Sequence, residues 1–420
     1  MNKNKILLLL IPLLFLIILS INNTLPKTQE DNLNIILITI EATRADHLPC
    51  YGYLRNTTPN ICNLAEDGVL FENAYSLGSR THISLPSFFT SSPPNVGIGK
   101  WDRGSLSKNY KTVAEALQKG GFECHAFISP GGISEGISKT NIDQGFNTSH
   151  KDIFNIDPRK FKNSSNFIWT HITTPHRPYT PDNNFRIYED YQLNSTNLDE
   201  ITYDSTMEDV DDVNKLMDLY DEELLMTDDD LKNFINKLKG VGLYNKSLII
   251  LTADHGEAFG EHNKIGHGMG IPYEEEVHVP LIIKFPSKRF AGKIIEKPVS
   301  HMDVVPTIYD FLNIFQKNCT GVSLLPLIKD KQKRVTTPVF SSQISKFWGM
   351  RIDNFKFYVD KMDFCYKKNS TKTNFYLYDI RKDQKEKNNI WISESSRDEE
   401  LKQKICDFYL IGERNIHWKK

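Results

Sequence analysis

A short polar stretch after an apolar run carries many of the residues that could do chemistry in this chain. Leu248–Leu251 is uninterrupted by polar residues, which is typical of a strand buried on both faces of a parallel sheet. The polar residues that follow within one short segment are Asp254, His255, Glu257, Glu261, His262 and His267. Ligands of open α/β sheets bind just beyond the carboxyl ends of the strands, so this stretch predicts a metal site. An ordinary surface loop with charged side chains is the alternative.

Two further apolar runs end on polar residues in the same way. Asn34–Ile40 predicts a second doubly buried strand, and Glu41 follows it directly. Carboxyl ends of parallel strands meet at one sheet edge, so Glu41 and Asp254 could share a cation. A third short strand, Phe167–Thr170, ends on His171, with His176 soon after. A pair of solvent-facing histidines in a proline-rich loop is the alternative for that segment.

Thr81 is a candidate nucleophile. The last half of the segment from Leu77 to Thr90 is predicted to start a helix, with Thr81 near its N-terminus. Backbone N–H groups and the helix dipole favour an anion there, which would lower the cost of forming an alkoxide. A hydroxyl nucleophile also needs a base or a metal ion to activate it. A threonine at this position is more often a simple helix cap.

The composition and the N-terminus limit the class of protein. The chain has 420 residues and a formal net charge of −2, which gives no reason to expect a nucleic-acid partner. Lys3 and Lys5 precede the apolar segment Ile6–Ile21. Residues 1–24 are therefore predicted to be a signal peptide or an N-terminal membrane anchor, and we favour the anchor. Either interpretation places the rest of the chain outside the cytoplasm.

Sequons and cysteines are compatible with that location. Asn-x-Ser/Thr sequons begin at Asn56, Asn147, Asn163, Asn194, Asn245, Asn318 and Asn369. Six widely spaced cysteines lie at Cys50, Cys62, Cys124, Cys319, Cys365 and Cys406. Disulfide bonds and free buried thiols are both open interpretations, and the pairing cannot be read from the spacing.

The chain divides into two predicted parts after the N-terminal segment. Residues 33–330 form a large α/β catalytic domain, and residues 331–420 form a small subdomain with antiparallel strands and a C-terminal helix. The acidic segment 198–230 leads into an amphipathic helix over Leu231–Lys239. Its charge runs, around Asp221 and Asp228, are predicted to be a solvated helix face.

Several segments, in order, resemble the sulfatases of the alkaline phosphatase superfamily. The segments are Asn34–Tyr53, Asn166–Pro181, Leu251–His262, Tyr273–Ile283, His301–Thr307 and Leu377–Asn388. The resemblance covers about residues 34–390. It implies an alkaline-phosphatase-like fold, in which a doubly wound, mostly parallel sheet carries a smaller C-terminal α+β subdomain.

The resemblance also implies roles for individual residues. Glu41, Asp254 and His255 match metal ligands, and Thr81 takes the position of the nucleophile. His176 matches a histidine that contacts the transferred group, and His267 stands where relatives have a group-binding lysine or histidine. The nearby candidates with less defined roles are Arg80, His171 and His262.

The nucleophile segment departs from the sulfatase pattern. Sulfatases convert a cysteine or serine to formylglycine, whereas the methyl group on Cβ of Thr81 prevents formation of that aldehyde. Ile83 and Leu85 replace the proline and arginine of the motif, and Glu41 stands where sulfatases usually have aspartate. Glutamate, threonine, aspartate and histidine together are similar to the site of the lipoteichoic-acid-synthase-like phosphotransferases. The nucleophile therefore favours phosphorus chemistry.

The resulting hypothesis is an extracytoplasmic, metal-dependent hydrolase or phosphotransferase. It would use one divalent ion (Mn²⁺, Mg²⁺, Ca²⁺ or Zn²⁺) bound by Glu41, Thr81, Asp254 and His255, with His176, His267 and Arg80 assisting. Its substrate would be an ester of a lipid head group or a surface glycan. The alternatives are a true sulfuric ester hydrolase and an inactive surface protein that binds a polyanionic glycan. The oligomeric state stays open.

Overall fold

A computed structural model describes most of the chain after the N-terminal segment. The described residues are 32–94, 106–129, 140–149, 152–188, 213–314, 319–331, 337–343, 347–366, 373–392 and 396–417. Within these ranges, none of the helices is both long enough and apolar enough to cross a membrane. The apolar segment Ile6–Ile21, predicted as an anchor or signal peptide, lies outside the described residues.

Strands and helices are interspersed through the first two thirds of the chain. The strands are β1 (Asn34–Ile40), β2 (Val69–Phe71), β3 (Ala74–Tyr75), β4 (Glu123–Ile128), β5 (Asn147–Ser149), β6 (Asn166–Ile172), β7 (Ser247–Ala253), β8 (Ala258–Phe259), β9 (Ile265–Gly266), β10 (His278–Val279), β11 (Leu281–Lys284), β12 (Lys293–Ile295), β13 (Val299–Ser300), β14 (Val339–Gln343), β15 (Phe347–Ile352), β16 (Phe355–Val359) and β17 (Phe375–Asp379). The α-helices are α1 (Pro59–Glu66), α2 (Thr81–Thr90), α3 (Val113–Lys119), α4 (Val213–Gly240), α5 (Glu274–Val277), α6 (Val304–Phe311), α7 (Leu325–Ile328) and α8 (Ser396–His417).

Eight strands form the central sheet, in the order β12-β2-β11-β7-β1-β6-β4-β5. The pairs β7–β1, β1–β6, β6–β4 and β4–β5 are parallel, whereas β11 runs antiparallel to both of its neighbours. Strands β1, β6 and β7 are buried along their whole length. This burial explains why their sequences are apolar runs rather than alternating patterns.

Helices cover both faces of the sheet. Ile35 and Leu37 of β1 face one core with residues of α2, α3 and α6, and Ile36 and Ile38 face another with residues of α1 and α4. Successive side chains of a strand point to opposite faces, so each face receives its own apolar set. The prediction of a doubly wound, mostly parallel α/β fold is confirmed.

The C-terminal part adds an antiparallel sheet of four strands in the order β14-β15-β16-β17. The aromatic and β-branched residues of Phe355–Val359 and Phe375–Asp379 form two of these strands, as the sequence predicts. Helix α8 packs against this sheet, where Tyr409 contacts Trp348 edge-on. These elements fit the small α+β subdomain that the resemblance implies.

The prediction of a solvated helix face before Leu231 is wrong for four carboxylates of the segment, whereas Asp230 is exposed and Asp229 is half-buried. Helix α4 begins at Val213, and Asp221, Glu222, Glu223 and Asp228 on it are buried. Each carboxylate meets a donor from a distant part of the chain. A buried acid is tolerated when such hydrogen bonds replace its water.

These carboxylates hold other elements in place. Asp221 pairs with His47 (2.7 Å), and Asp228 accepts the backbone N–H of Ile61 in the first turn of α1 (2.8 Å).

Four of the cysteines pair as Cys50–Cys62 and Cys365–Cys406, whereas Cys124 and Cys319 are free thiols. Both interpretations that the sequence leaves open for the cysteines are therefore realised.

Candidate metal centre and active site

Strand register brings the two carboxylates of the candidate site together. Ile40 at the end of β1 pairs with Ala253 at the end of β7, so Glu41 and Asp254 follow at adjacent positions of the same sheet edge. His255 comes next along the chain. Glu41, Asp254 and His255 are buried and each offers a ligand atom, and these atoms lie within 4.8 Å of one another. This grouping could hold one metal ion.

Hydrogen bonds orient Asp254 and His255 toward that shared point. Oδ1 of Asp254 accepts the backbone N–H groups of Ala42 (3.0 Å) and His255 (2.9 Å). Its Oδ2 is buried and has no hydrogen-bond partner in the described part of the chain. Nδ1 of His255 donates to the carbonyl of Gly256 (2.8 Å), which leaves Nε2 on the side of the carboxylates. A buried carboxylate oxygen without a donor and an inward-facing imidazole nitrogen fit a bound cation.

Thr81 lies against this group at the start of α2. Its Oγ1 donates to Oε1 of Glu41 (2.7 Å) and lies 3.3 Å from Nε2 of His255. The side chain is half-buried, so the hydroxyl stands between the buried carboxylates and the solvent-accessible side. Arg80 is the N-cap residue of α2, and no side-chain hydrogen bond caps the helix. Thr81 is thus the first residue of the helix rather than its cap.

The two carboxyl groups and the imidazole shift one another's pKa values because they are buried together. Burial disfavours the ionised form of Glu41, but hydrogen bonds and charge from His171 and His255 lower the pKa of this carboxyl well below its usual range. Burial and the charge of Glu41 raise the pKa of Asp254. Burial opposes protonation of His255, but Asp254 and Glu41 raise the pKa of the imidazole to about 10. The raised pKa values of Asp254 and His255 show that positive charge is favoured in this pocket, and a divalent cation would be favoured there for the same reason.

His171 lies beside Glu41 rather than at a solvent-facing loop position. Strand β6 continues through Ile172, so His171 is within the strand and is fully buried. Its Nε2 is 2.5 Å from Oε2 of Glu41, and its Nδ1 is 2.8 Å from Oγ1 of Thr39. The alternative of a solvent-facing pair of histidines is wrong for His171.

A second group of polar residues lines the side of the site next to His255. The rings of His267 and His255 have centroids 4.2 Å apart, and His176 lies 5.6 Å from His267 by the same measure. Nδ1 of His267 lies 3.1 Å from Oε2 of Glu257. Burial lowers the pKa of His267 to about 4, so its imidazole is neutral near pH 7. The structure thus brings His176 and His267 together near the candidate metal ligands.

Arg80 reaches the same loop from the other side. Its Nε donates to the carbonyl oxygen of Gly268 (3.2 Å), next to His267. Gly268 has a φ of +84°, and a Cβ there would lie 2.1 Å from Nε of Arg80. Glycine is therefore required at this position, both by the backbone conformation and by the close approach of the arginine.

His262 does not join this group. Its ring stacks on Tyr273, with centroids 3.5 Å apart and an interplanar angle of 5°. Glu257, to which the sequence assigned no individual role, does contact a site residue. The sequence feature that could have assigned Glu257 to the site is its position two residues after His255, in the segment predicted to carry the site.

Residues 33–314, more than half of the chain, match the family model described as Sulfatase. The chain belongs to the sulfatase family. Residues 260–408 also match the model described as N-sulphoglucosamine sulphohydrolase, C-terminal. The protein is accordingly an ester hydrolase of the alkaline phosphatase superfamily, a family that is generally metal-dependent.

Curated sulfatases are similar over most of the chain. An arylsulfatase of Clostridium perfringens is 24% identical over 381 residues, covering 71% of this chain and 79% of the relative. An N-acetylglucosamine-6-O-sulfatase of Bacteroides thetaiotaomicron is 20% identical, covering 91% of this chain and 87% of the relative.

Solved structures show the same fold at low sequence identity. The phosphonate monoester hydrolase of Agrobacterium radiobacter has a TM-score of 0.70 and 18% identity, covering 92% of this chain and 96% of that one. A protein in complex with its substrate D-glucosamine-2-N,6-O-disulfate has a TM-score of 0.69 and 18% identity, covering 93% and 100%. This sulfatase-family chain therefore has the alkaline-phosphatase-like fold.

Proposed function

We propose that this sulfatase-family protein cleaves phosphate or phosphonate esters through Thr81, with one divalent cation held by Glu41, Asp254, His255 and the Thr81 oxygen. The observation that carries the proposal is the position of Oγ1 of Thr81, 2.7 Å from Oε1 of Glu41 and 3.3 Å from Nε2 of His255. A hydroxyl in this position could coordinate the cation, and coordination to a metal is one way in which a hydroxyl nucleophile is activated.

The residue type at position 81 favours phosphorus over sulfur. A sulfatase nucleophile is a formylglycine made from cysteine or serine, and threonine cannot be converted to that aldehyde because its Cβ carries a methyl group. The segment Thr81–Leu85 also lacks the proline and arginine of that motif. Thr81 would therefore act as an unmodified hydroxyl.

A bound divalent ion would supply Lewis acidity, which lowers the pKa of a coordinated hydroxyl and stabilises charge on the transferred group. The position of Thr81 in the first turn of α2 adds the favourable field of the helix N-terminus for an alkoxide. Thr81 Oγ1 releases its proton to solvent and forms a bond to phosphorus, while the bond from phosphorus to the leaving oxygen breaks and that oxygen is protonated. Water, or an acceptor alcohol, then forms a bond to phosphorus as the bond from Thr81 breaks, and its proton returns to the Thr81 oxygen.

His176, His267 and Arg80 are proposed to serve the transferred group. All three lie on the segments that meet beside Thr81 and His255. The charge of Arg80 and a ring N–H of His176 would stabilise the equatorial oxygens. His267, whose Nδ1 hydrogen faces Glu257, would take up a proton at Nε2 and give it to the leaving oxygen.

The substrate class is proposed to be an ester of a surface glycan or a lipid head group outside the cytoplasm. Two disulfide bonds, Cys50–Cys62 and Cys365–Cys406, support an oxidising compartment. The predicted signal peptide or anchor over residues 1–24 supports the same location. Two of the proteins similar to this chain are named or shown with glucosamine sulfates, which supports a glycan. We also propose that residues 33–330 form the catalytic domain and that residues 331–420 form the C-terminal subdomain.

Hydrolysis of sulfate esters is the second candidate function, favoured by the sulfatase relatives.

The test that distinguishes the two functions is intact-protein mass spectrometry after incubating the metal-loaded protein with an aryl phosphonate monoester, an aryl phosphate diester or an aryl sulfate. A phosphorus-containing adduct on Thr81, absent from Thr81→Ala, is expected. Thr81→Ser keeps the hydroxyl and should still form the adduct.

The other outcomes separate the rivals. Turnover of the aryl sulfate with no phosphorus adduct would refute the phosphoester preference and leave a sulfatase that works without formylglycine. No reaction with any of the three substrates would favour the glycan-binding alternative, which loss of the Thr81 hydroxyl should not affect.

A further inference from the structure

We propose that His171 is a positioning residue that restricts Glu41 to one coordinating oxygen, and that the site thereby selects Zn²⁺ over Ca²⁺. The inference deepens the proposed function, because it rests on the metal site assigned there. The two residues on which it rests, Glu41 and His171, are both buried.

The two oxygens of Glu41 have different partners. Oε2 is 2.5 Å from Nε2 of His171, whereas Oε1 accepts the hydroxyl of Thr81 at 2.7 Å and lies 3.4 Å from Nε2 of His255. Glu41 is 1% exposed and His171 is 0% exposed, so water cannot replace the imidazole at Oε2. Oε1 is therefore the oxygen of Glu41 that contacts the other candidate ligands Thr81 and His255, whereas Oε2 is taken by His171.

A chain of hydrogen bonds inside the sheet holds the His171 ring in this orientation. Thr39 on β1 is the register partner of His171 on β6, and its Oγ1 lies 2.8 Å from Nδ1 of the ring. The indole N–H of Trp169 donates to the same Oγ1 (3.0 Å). An ionised carboxylate only accepts hydrogen bonds, so Nε2 of His171 must carry the hydrogen that binds Glu41. Both ring nitrogens are thus engaged, which leaves neither to coordinate a metal.

Asp254 is restricted in the same manner by the backbone. Its Oδ1 accepts two N–H groups, from Ala42 and His255, and only Oδ2 is left for a cation. The chain then presents one oxygen from each of two carboxylates, the Thr81 hydroxyl and one imidazole nitrogen. Four ligand atoms with a nitrogen among them suit Zn²⁺. Ca²⁺ takes six to eight oxygens and often binds a carboxylate through both of them.

Removal of the His171 hydrogen bond should release Oε2 of Glu41 and make two-oxygen binding possible. The test compares the dissociation constants of metal-free wild type and variants for Zn²⁺, by competition with a chromophoric chelator, and for Ca²⁺, by calorimetry. We expect the ratio of the Ca²⁺ constant to the Zn²⁺ constant to fall at least tenfold in His171→Leu.

A second pair of variants reaches the same contact indirectly. Thr39→Val removes the hydroxyl that holds the His171 ring and should lower the ratio in the same direction. Thr39→Ser keeps the hydroxyl and should leave the ratio near the wild-type value. His125→Gln is the matched control, because His125 lies on the neighbouring strand β4, where its register partner is Ile168 and not a site residue. Circular dichroism of each metal-free protein verifies folding.

The results that contradict the inference are distinct from those that contradict the proposed function. An unchanged ratio in both His171→Leu and Thr39→Val would overturn the positioning role. Equal weakening of both metals would instead make His171 a direct ligand, which also overturns it. A wild-type protein that binds neither ion would refute the metal site itself, and with it the proposed function.

Discussion

Glu257 and His267 form a buried pair in which Oε2 of the carboxylate lies 3.1 Å from Nδ1 of the imidazole. Burial opposes ionisation of Glu257, but the charge and hydrogen bond of His267 lower the pKa of this carboxyl to about 2. Glu257 is therefore ionised near pH 7 and can only accept a hydrogen bond, so His267 carries its hydrogen on Nδ1. The carboxylate sets both the tautomer and the orientation of the ring.

Loss of this pair should slow turnover. We expect Glu257→Leu to lower kcat by roughly 10–100-fold, the range typical of residues that orient a site histidine. Glu257→Gln keeps a carbonyl oxygen that can accept the Nδ1 hydrogen and should lose less. Steady-state kinetics on whichever of the three aryl esters is turned over provide the measurement. Glu123→Gln, an exposed carboxylate on β4, serves as the control, and an unchanged kcat in Glu257→Leu would refute the orienting role.

Metal binding should stabilise the folded protein through Asp254. A ligand that binds only the folded state stabilises it by about 2.7 kcal/mol at 100 times its dissociation constant. Thermal unfolding of metal-free wild type should therefore move to a higher temperature when the divalent ion is added. The shift should vanish in Asp254→Ala and persist in Asp229→Ala, which removes a carboxylate paired with Lys232 outside the site. A shift that persists in Asp254→Ala would place the bound ion elsewhere.

Stability should decrease with rising pH because of Glu223 on α4. Burial raises the pKa of this carboxyl from 4.5 to about 8, and its Oε1 accepts the backbone N–H of Thr180 at 2.6 Å. Between these two values the unfolded chain has released the proton while the folded chain keeps it, so the free energy of unfolding falls as pH rises. Each pH unit within that window costs about 1.4 kcal/mol at most.

Glu223→Gln isolates this contribution. The variant keeps a neutral side chain of the same size, so it should be more stable than wild type at pH 8.5 and close to it at pH 5. Urea unfolding at the two pH values gives the comparison, with Glu123→Gln as an exposed control. Parallel pH profiles for wild type and Glu223→Gln would show that the carboxyl is ionised throughout.

Lys356 on β16 should be essential for attaching the C-terminal sheet. Its Nζ lies 2.5 Å from Oε2 of Glu274 on α5 and 3.4 Å from Oε2 of Glu386, and the lysine is fully buried. Lys356→Met would leave the buried carboxylate of Glu386 and the partly exposed carboxylate of Glu274 without their cation, at a cost of roughly 3–5 kcal/mol. Lys232→Met, which removes an exposed lysine, should have little effect. Denaturant unfolding measures both, and similar losses in the two variants would contradict this role.

Local sequence determined the strands, the helix start and the family. Apolar runs such as Asn34–Ile40 predict doubly buried strands because full burial requires an apolar residue at every position, and the structure confirms them. The same runs place Glu41 and Asp254 at strand ends, where parallel strands bring polar residues together. The sulfatase resemblance was readable because its segments are continuous in the chain. The site roles it implies stay predictions.

Only the tertiary structure decided which polar groups are buried together. Glu41 meets His171 across 130 positions, and Asp221 meets His47 across 174, so neither pair leaves a local signal in the sequence. Asp221, Glu222, Glu223 and Asp228 of α4 were predicted to be solvated because charge alone predicts exposure, yet distant donors allow these four carboxylates to be buried. The cysteine pairs likewise depend on which loops pack together. Periodicity reports burial, whereas the partners of a buried charge are set by how distant segments pack.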